Sequence, residues 1–292
     1  MFAKILLMIL LSISSVLSEE VLKKELLQRI IQPKLTLESS YLSKANIQGS
    51  EGSVEAHKNT LKINNAIVGF TYTNWAFTWD NVQELPFGDK STQPIKEMHA
   101  LKINLTAPYF VDKKWFILSM VSLRSSFEKS IDGSYGATVF SFASYKVDSD
   151  HTIQMGAFAN YHKVSTLALP VLSYSYRARQ SNGLQVVLGF PRTYIGYHAN
   201  KASLFKLGII FSQSVIKLSD GSSIENGGFI ETKDYMGNLG LSYEFNKHLR
   251  LESNILYSIK RDFIIFDSQG NKQSSHSIEP SLGANIKAVW LF

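Results

Sequence analysis

Residues 281–292, Ser281-Leu282-Gly283-Ala284-Asn285-Ile286-Lys287-Ala288-Val289-Trp290-Leu291-Phe292, show the alternation that indicates the fold class. Apolar residues occupy every second position, namely Leu282, Ala284, Ile286, Ala288, Trp290 and Phe292, and the residues between them are mostly smaller or polar. A period of two is the period of a β-strand, because successive side chains point to opposite faces of a sheet. The stretch therefore predicts a strand with one apolar face that ends on an aromatic residue.

The same alternation recurs upstream, most clearly in residues 234–245 and 248–263. In the first of these segments Leu239 and Leu241 fall on one face, while Asn238 and Ser242 fall on the other. The polar faces are rich in Gly, Ser, Asn and Thr, and aromatic residues gather at the segment ends. This pattern favours an antiparallel transmembrane β-barrel with the apolar face toward lipid and the polar face toward the interior.

Counting alternating segments backwards from Phe292 gives about twelve strands, with ten to fourteen possible. The candidate strands are 279–292, 248–263, 234–245, 203–217, 192–199, 182–190, 168–179, 151–162, 135–147, 114–124, 97–109 and 60–76. Residues 34–43 also alternate and look like an extra strand that would make the number odd. Short connections such as 246–248 alternate with longer ones such as 77–96 and 218–233, which is typical of bacterial barrels.

The beginning of the chain predicts a secretory signal peptide over residues 1–18. It holds one basic residue, Lys4, and an apolar run from Ile5 to Leu11 that is too short to span a bilayer as a helix. Cleavage after Ser18 would leave Glu19 as the first residue. Residues 19–33 have helical apolar spacing and predict a short amphipathic periplasmic helix, with insertion into the barrel interior as an alternative. The barrel would then occupy residues 34–292.

All four tryptophans, Trp75, Trp79, Trp115 and Trp290, fall near the ends of predicted strands. Amphipathic rings prefer the two membrane interfaces, so we expect aromatic girdles there. Packing against neighbouring strands of a soluble sheet is the alternative explanation for these aromatics.

The composition argues against several classes of site. The chain has no cysteine, which excludes a lipidated cysteine, disulfides and thiolate metal sites. Without Lys4 the chain has 29 Lys and Arg against 24 Asp and Glu, or +5, and these charges are scattered rather than clustered as in a nucleic-acid binder. Sequence motifs for nucleotide binding, zinc proteases and serine hydrolases are absent. We assign no catalytic residue, cofactor or metal ligand.

Basic residues on the polar faces are the recurring chemical theme. They are Lys62, Lys102, Arg124, Arg177, Lys206, Arg250, Lys260 and Lys287. In a wet interior they would attract anions. The alternative is that they pair with Glu38, Glu244 and Glu252 in a closed, salt-bridged interior, because small barrels fill their insides with side chains.

The alternating segments, the signal and the terminal aromatic together resemble bacterial outer-membrane β-barrel proteins. The resemblance implies that Trp290 and Phe292 form the signal read by the barrel-assembly machinery. It also implies periplasmic chaperones, outer-membrane lipids as partners, and a location in the outer membrane of a Gram-negative bacterium. Trp115-Phe116-Ile117-Leu118, with Gly189-Phe190-Pro191, is similar to an uncharacterised outer-membrane barrel family, a domain of unknown function that implies no activity.

Three function classes remain at this point. The leading hypothesis is an integral outer-membrane barrel that forms a narrow porin-like passage for small solutes or a purely structural barrel. The second is a barrel-embedded hydrolase acting on lipid or protein. The third is a soluble periplasmic β-barrel that binds an apolar ligand, and it would place the aliphatic face inward instead of toward lipid.

Overall fold

The computed structural model describes residues 32–178 and 182–292, and these residues form an almost entirely β structure. The strands are β1 (Lys34–Asn46), β2 (Ser53–Asn64), β3 (Val68–Asp80), β4 (Glu97–Phe110), β5 (Trp115–Phe127), β6 (Tyr135–Lys146), β7 (His151–His162), β8 (Leu167–Arg177), β9 (Gly183–Gly189), β10 (Arg192–His198), β11 (Ser203–Lys217), β12 (Phe229–Glu244), β13 (Leu249–Phe266), β14 (Lys272–Ile278) and β15 (Ser281–Leu291). One 3-10 turn, Val82–Glu84, lies between β3 and β4. No helix in the described ranges is both long and apolar enough to cross a membrane.

The sheet closes on itself. Strands β1 to β13 pair in sequence order, and β15 lies between β13 and β1 in an antiparallel register that runs from Lys34 opposite Leu291 to Leu42 opposite Gly283. β14 continues the line of β15 along β13, and Glu279-Pro280 separates the two, so together they form one strand of the wall. Proline cannot donate to a ladder, which explains an interruption at this point. The wall of the described barrel therefore has fourteen strands.

The antiparallel barrel predicted from the sequence is confirmed, but the number of about twelve strands is wrong. Residues 34–46 form a full strand, and the segment 60–76 is a hairpin instead of one strand. Asn65 makes the turn of this hairpin, because its Oδ1 accepts the backbone N–H groups of Ile67 and Val68, each at 2.8 Å. Residues 64–68 contain neither Gly nor Pro, so the turn had no obvious sequence signal, and the Asn65 side chain supplies the reversal instead. The predicted signal peptide and almost all of the predicted amphipathic helix lie outside the described residues.

The two faces of the wall have opposite character. Outward aliphatic side chains are exposed, among them Leu207 (63%), Leu239 (53%), Ile255 (59%) and Ile286 (61%). Polar residues that alternate with them, such as Asn238, line the interior. Soluble proteins rarely expose apolar surface of this extent, whereas a transmembrane barrel requires it. The chain is thus built as an outer-membrane β-barrel, because the aliphatic faces of β11, β12, β13 and β15 point outward and not inward as the soluble alternative needs.

Aromatic residues mark both ends of the outer face. Trp290, Phe245 and Tyr243 are exposed near the short turns, and Tyr135 and Tyr161 are exposed at the other end of their strands. Trp115 packs against Tyr145 across the β5–β6 pair, with the rings tilted and their centroids 4.7 Å apart. The other two tryptophans differ from the predicted girdle. Trp75 lines the interior and Trp79 is 3% exposed in a core inside the barrel.

The barrel narrows at the end that carries the long loops. β11 leaves β10 and reaches β5, where Lys217 pairs in parallel with Phe127 and the Lys217 carbonyl accepts the Glu128 N–H at 2.9 Å. The inner faces of β11 to β14 then pack on the connection between β3 and β4. This roof is an apolar cluster that includes Ile47, Trp79, Leu85, Phe87, Ile95, Ile216, Ile230, Phe263, Ile265 and Ile278. The barrel interior is consequently covered at the long-loop end by a packed core.

The assignment of faces predicts a strong asymmetry on β12. Leu239→Arg should destabilise the barrel by about 2 to 4 kcal/mol, because a cation near the bilayer midplane loses its hydration. Asn238→Arg, one residue away and facing the interior, should cost much less, since its charge stays solvated. Urea unfolding of the two variants in lipid vesicles measures the difference.

The absence of cysteine allows a control by labelling. In native membranes, cysteine at position 239 should react with a lipid-soluble maleimide, and cysteine at position 238 with a water-soluble one. The opposite pattern, or reaction of position 239 with neither reagent, would reverse the inside and outside faces.

Candidate functional site

The interior below the roof is a cavity of about 600 Å³. Its lower part is lined by residues near the short turns, including His198, Lys201 and Glu244. Its upper part ends at apolar side chains that include Met98, Ile216 and Phe263, all three of which belong to the roof. The cavity therefore lies between a charged lower region and a dry ceiling.

Strand register brings one polar row around half of the wall. Successive cross-strand partners are Ser40, Asn285, Asn254, Gly240, Lys206, Gly196, Gln185 and Arg177, on β1, β15, β13, β12, β11, β10, β9 and β8. Directly opposed residues of neighbouring strands share a face, so a polar residue on one strand places its partners inside as well. The row is joined by hydrogen bonds, because Asn254 Nδ2 donates to Asn285 Oδ1 at 3.0 Å and Asn285 Nδ2 donates to Ser40 Oγ at 2.7 Å.

One carboxylate sits among three cations at the next level. Glu252 lies 2.8 Å from Lys287 Nζ, 3.3 Å from Lys206 Nζ and 3.3 Å from Arg250 Nε. Glu38, which is directly opposite Lys287 in the ladder, instead accepts a hydrogen bond from Asn285 Nδ2 at 2.9 Å. Arg250 Nη1 also lies 3.9 Å from Glu244 Oε1, so the three cations of this salt-bridged cluster are shared between two carboxylates, with Glu38 nearby.

The structure separates the eight predicted basic residues into three groups. Arg177, Lys206, Arg250 and Lys287 line the cavity. Lys62, Lys102 and Arg124 lie in a second inward row, connected through the ladder by Thr71, and their charges interact with one another. This row continues to His162 on β7 through Gly136.

Lys260 is placed differently from the sequence expectation. A β-bulge at Tyr235 and Met236 leaves Ile259 as an extra residue on β13, so Lys260 is opposite the outward Tyr235. Its side chain is 59% exposed and lies 3.3 Å from Asp262. A bulge reverses which residues face inward, and the extra apolar Ile259 hid this change in an otherwise alternating segment.

Four further basic residues line the cavity but were not predicted from the sequence. They are Lys58, Arg192, Lys201 and Arg261. Arg261 follows the same bulge, which turns it inward beside Asp234, with Nε 3.7 Å from Oδ1. Lys58 could have been predicted, because it lies on β2, which begins at Ser53 and not at residue 60, where the alternation predicts its start. Lys201 is in a short turn and carries no pattern.

Two histidines of the described chain lie near a carboxylate, with His57 Nε2 3.4 Å from Glu55 Oε1 and His99 Nε2 4.0 Å from Glu97 Oε2. His276 Nε2 lies 2.9 Å from Ser274 Oγ, and its ring is 5.2 Å from that of Phe87. Within the described ranges no carboxylate is bonded to the other ring nitrogen of His276, so this Ser–His pair lacks the orienting acid of a serine hydrolase. No group of three potential metal ligands occurs in that part of the chain.

The loop between β3 and β4 is stabilised by an aspartate turn outside the membrane-spanning strands. Asp89 accepts the Ser91 N–H at 2.9 Å and the Thr92 N–H at 2.8 Å, together with the Thr92 hydroxyl at 2.7 Å. These donors favour the carboxylate form and lower the pKa of Asp89 to about 2. The stabilisation is present above the aspartate pKa of the unfolded chain and is lost only as pH falls through about 2. Mild acidification therefore leaves the turn intact.

Comparisons with solved structures find other outer-membrane barrels. The KdgM porin in complex with disordered oligogalacturonate is 9% identical over 88% of this chain and 99% of that chain, with a TM-score of 0.38. An outer-membrane channel from Pseudomonas putida F1 is 7% identical over 90% and 96%, with a TM-score of 0.46. The P. putida toluene transporter TodX is 9% identical over 89% and 90%, with a TM-score of 0.39. No protein-family model and no curated protein matches the sequence.

These similarities are too distant to assign a solute. The outer-membrane barrel assignment is carried by this chain's own closed ladder, apolar outer face and polar interior.

The roof gives a testable consequence. Trp79 donates from Nε1 to the Ile95 carbonyl at 2.7 Å and packs edge-on against Phe87, with ring centroids 5.6 Å apart. Trp79→Ala should lower the free energy of unfolding by about 3 to 5 kcal/mol, because it leaves a cavity in a packed cluster. Urea unfolding in lipid vesicles measures this loss.

Trp115→Ala is the matched control, since Trp115 lies on the outer face beside Tyr145 and outside the roof cluster. Equal destabilisation of the two variants would show that the roof is not a packed core. Trp79→Ala should also raise solute flux through the barrel, whereas Trp115→Ala should leave it unchanged.

Proposed function

We propose that the protein is a narrow, porin-like channel that favours small anionic solutes. The observation that carries the proposal is the charge of the cavity wall. Eight Lys or Arg side chains line the cavity against four Asp or Glu side chains. Rings of basic side chains in a pore attract anions and repel cations.

The size of the cavity favours a passage over a purely structural interior. A closed structural barrel fills its inside with side chains. Here a space of about 600 Å³ remains beneath the roof, within the range of pockets that hold small molecules. The salt bridges at Glu252 use part of the positive charge, but Arg177, Arg192 and Lys201 have no salt bridge recorded among the described residues. Both sequence hypotheses, anion attraction and internal pairing, therefore describe parts of the same wall.

The roof defines a closed state of this channel. Passage straight along the barrel axis requires that the β3–β4 connection, which contributes Leu85, Phe87 and Ile95 to the roof, moves away from the inner faces of β11 to β14. The apolar contacts hold the connection in the closed position, and displacement of a rim loop is the kind of motion that opens a covered site.

Ion selectivity in planar bilayers tests the proposal. The purified barrel should show a reversal potential of the anion-selective sign in a potassium chloride gradient. Lys287→Glu and Lys206→Glu should each reduce the anion preference about fivefold or more. The reason is that a unit charge at 4 Å contributes about 1 kcal/mol even in water, and each substitution reverses a charge.

Lys260→Glu is the matched control, because it makes the same charge change on the outer face of the wall. It should leave the reversal potential unchanged. Cation selectivity of the parent protein, or equal shifts for Lys260→Glu and Lys287→Glu, would contradict an anion-attracting interior.

A further inference from the structure

The barrel wall is unusually low at β9 and β10. Each of these strands has seven residues, whereas the flanking strands β8 and β11 have eleven and fifteen. The hairpin between them turns at Phe190-Pro191. The two neighbouring strands therefore continue past the tip of the hairpin without it.

β8 forms one side of the resulting opening. Its pairing with β9 stops at Ser173, which is opposite Gly189, but β8 extends to Leu167 and pairs there with β7 alone. Within the described chain, residues 167–172 have no ladder partner on the β9 side. Leu172, the first residue past the end of the pairing, is 70% exposed on the outer face. Pro170 lies in the same stretch, which suits a free edge because proline lacks the N–H group.

β11 forms the other side. Its ladder with β10 ends at Ile210 opposite Arg192, and the Phe211 N–H donates to the Pro191 carbonyl at 2.9 Å just above. Beyond this bond β11 turns away toward β5, which it meets at Lys217. The stretch between these two points has no described ladder partner on its β10 side.

The β7–β8 loop closes the opening from above. Gln213 Nε2 on β11 lies 3.2 Å from Ser165 Oγ in this loop. Lys163 Nζ in the same loop donates to the Ser268 carbonyl after β13 at 2.7 Å. The opening is therefore a window with a complete frame: the β9–β10 tip below, β8 and β11 at the sides, and the β7–β8 loop above.

The inner wall beside the window is apolar, unlike the charged wall across the barrel. Inward positions on β8 are Leu167, Leu169 and Val171, and Leu169 is opposite Phe158 on β7. Phe158 is in turn opposite Phe140 on β6, and Phe140 is opposite Met120 on β5. The apolar arc consists of Leu118, Met120, Phe140, Phe142, Phe158, Leu169 and Val171.

The outer rim is aromatic at its lower edge. The rings of Phe190 and Phe211 are 5.3 Å apart, and those of Phe211 and Tyr235 are 4.9 Å apart. Unpaired strand edges in the hydrocarbon are costly and are tolerated only where they line a cavity or are covered by protein. The upper edge is polar at Gln213 and Ser165, but the apolar surfaces outside, at the lower edge and behind the gap suit an apolar molecule better than a hydrated ion.

We propose that this window is a lateral portal through which small apolar molecules dissolved in the lipid enter the barrel along the apolar arc. This goes beyond the anion passage, because it assigns a second route and a second class of solute. It leaves the roof in place, since the window opens below the loops that form the roof.

Single-cysteine labelling tests the portal in a chain that has no cysteine of its own. The probes are N-dodecylmaleimide, which dissolves in the bilayer, and a sulfonated maleimide, which stays in water. Leu169→Cys faces the window from inside, and Leu118→Cys lies farther along the arc on a strand that is paired on both sides. We expect dodecylmaleimide to modify position 169 rapidly and position 118 more slowly.

Narrowing the window distinguishes this route from entry through the short-turn end of the barrel. Val171→Trp on β8 and Ile210→Trp on β11 add bulk at opposite sides of the opening, so one variant can serve if the other does not insert. Either should slow dodecylmaleimide labelling of position 118 several-fold. Leu207→Cys on the outer face is the control, and its labelling should not change. Heat-modifiable gel mobility verifies that each variant is folded.

Three outcomes would overturn the portal. Position 169 could fail to react with dodecylmaleimide, it could react only with the sulfonated reagent, or labelling of position 118 could be the same with and without a narrowing tryptophan. None of these outcomes depends on ion selectivity, so the portal and the anion channel are tested separately.

Discussion

Closure of the backbone ladder is the constraint on which the rest of this structure depends. A strand edge in hydrocarbon would leave N–H and C=O groups without partners, each at a cost of several kcal/mol. β15 removes that edge by pairing with β1 on one side and β13 on the other. Once closed, the sheet has only two faces, and the period of two assigns each residue to one of them. The exposed aliphatic belt and the polar cavity are consequences of the same pairing.

Closure also explains why charges accumulate inside. With the outer face committed to apolar residues, a charged residue in a spanning strand keeps its hydration or finds a partner only on the inner face. Glu252 lies opposite Lys287 in the ladder and on the same strand as Arg250, so the register of inward residues places it 2.8 Å from Lys287 and 3.3 Å from Arg250. The cations that exceed the carboxylates then give the interior its electrostatic character.

The sequence predicted those features that a single strand encodes. Alternation in 234–245 and 248–263 identifies two strands and most of their inward residues, because burial on one face forces a local pattern. The sequence predictions failed where a turn lacks the usual turn residues or where a bulge adds one residue to a strand. The Asn65 side chain makes a turn without glycine or proline, and the bulge at Ile259 turns Lys260 outward and Arg261 inward. Trp79 looks like an interfacial ring in sequence, and only a nonlocal cluster places it in the roof.

The window has the same origin as these departures, since it arises from differences in length between neighbouring strands. The sequence already shows the irregularity, because the connections near Pro170 and Pro191 are too short for a regular alternation of turns and loops. No local sequence pattern predicts the path of β11, which extends beyond its short neighbour β10 and meets β5 at Lys217. That single departure pulls the inner faces of β11 and β12 onto the roof and leaves the upper edge of β8 unpaired. A closed top and an open side are therefore two results of one change in strand pairing, so a substitution that returned β11 to β10 would be expected to alter both.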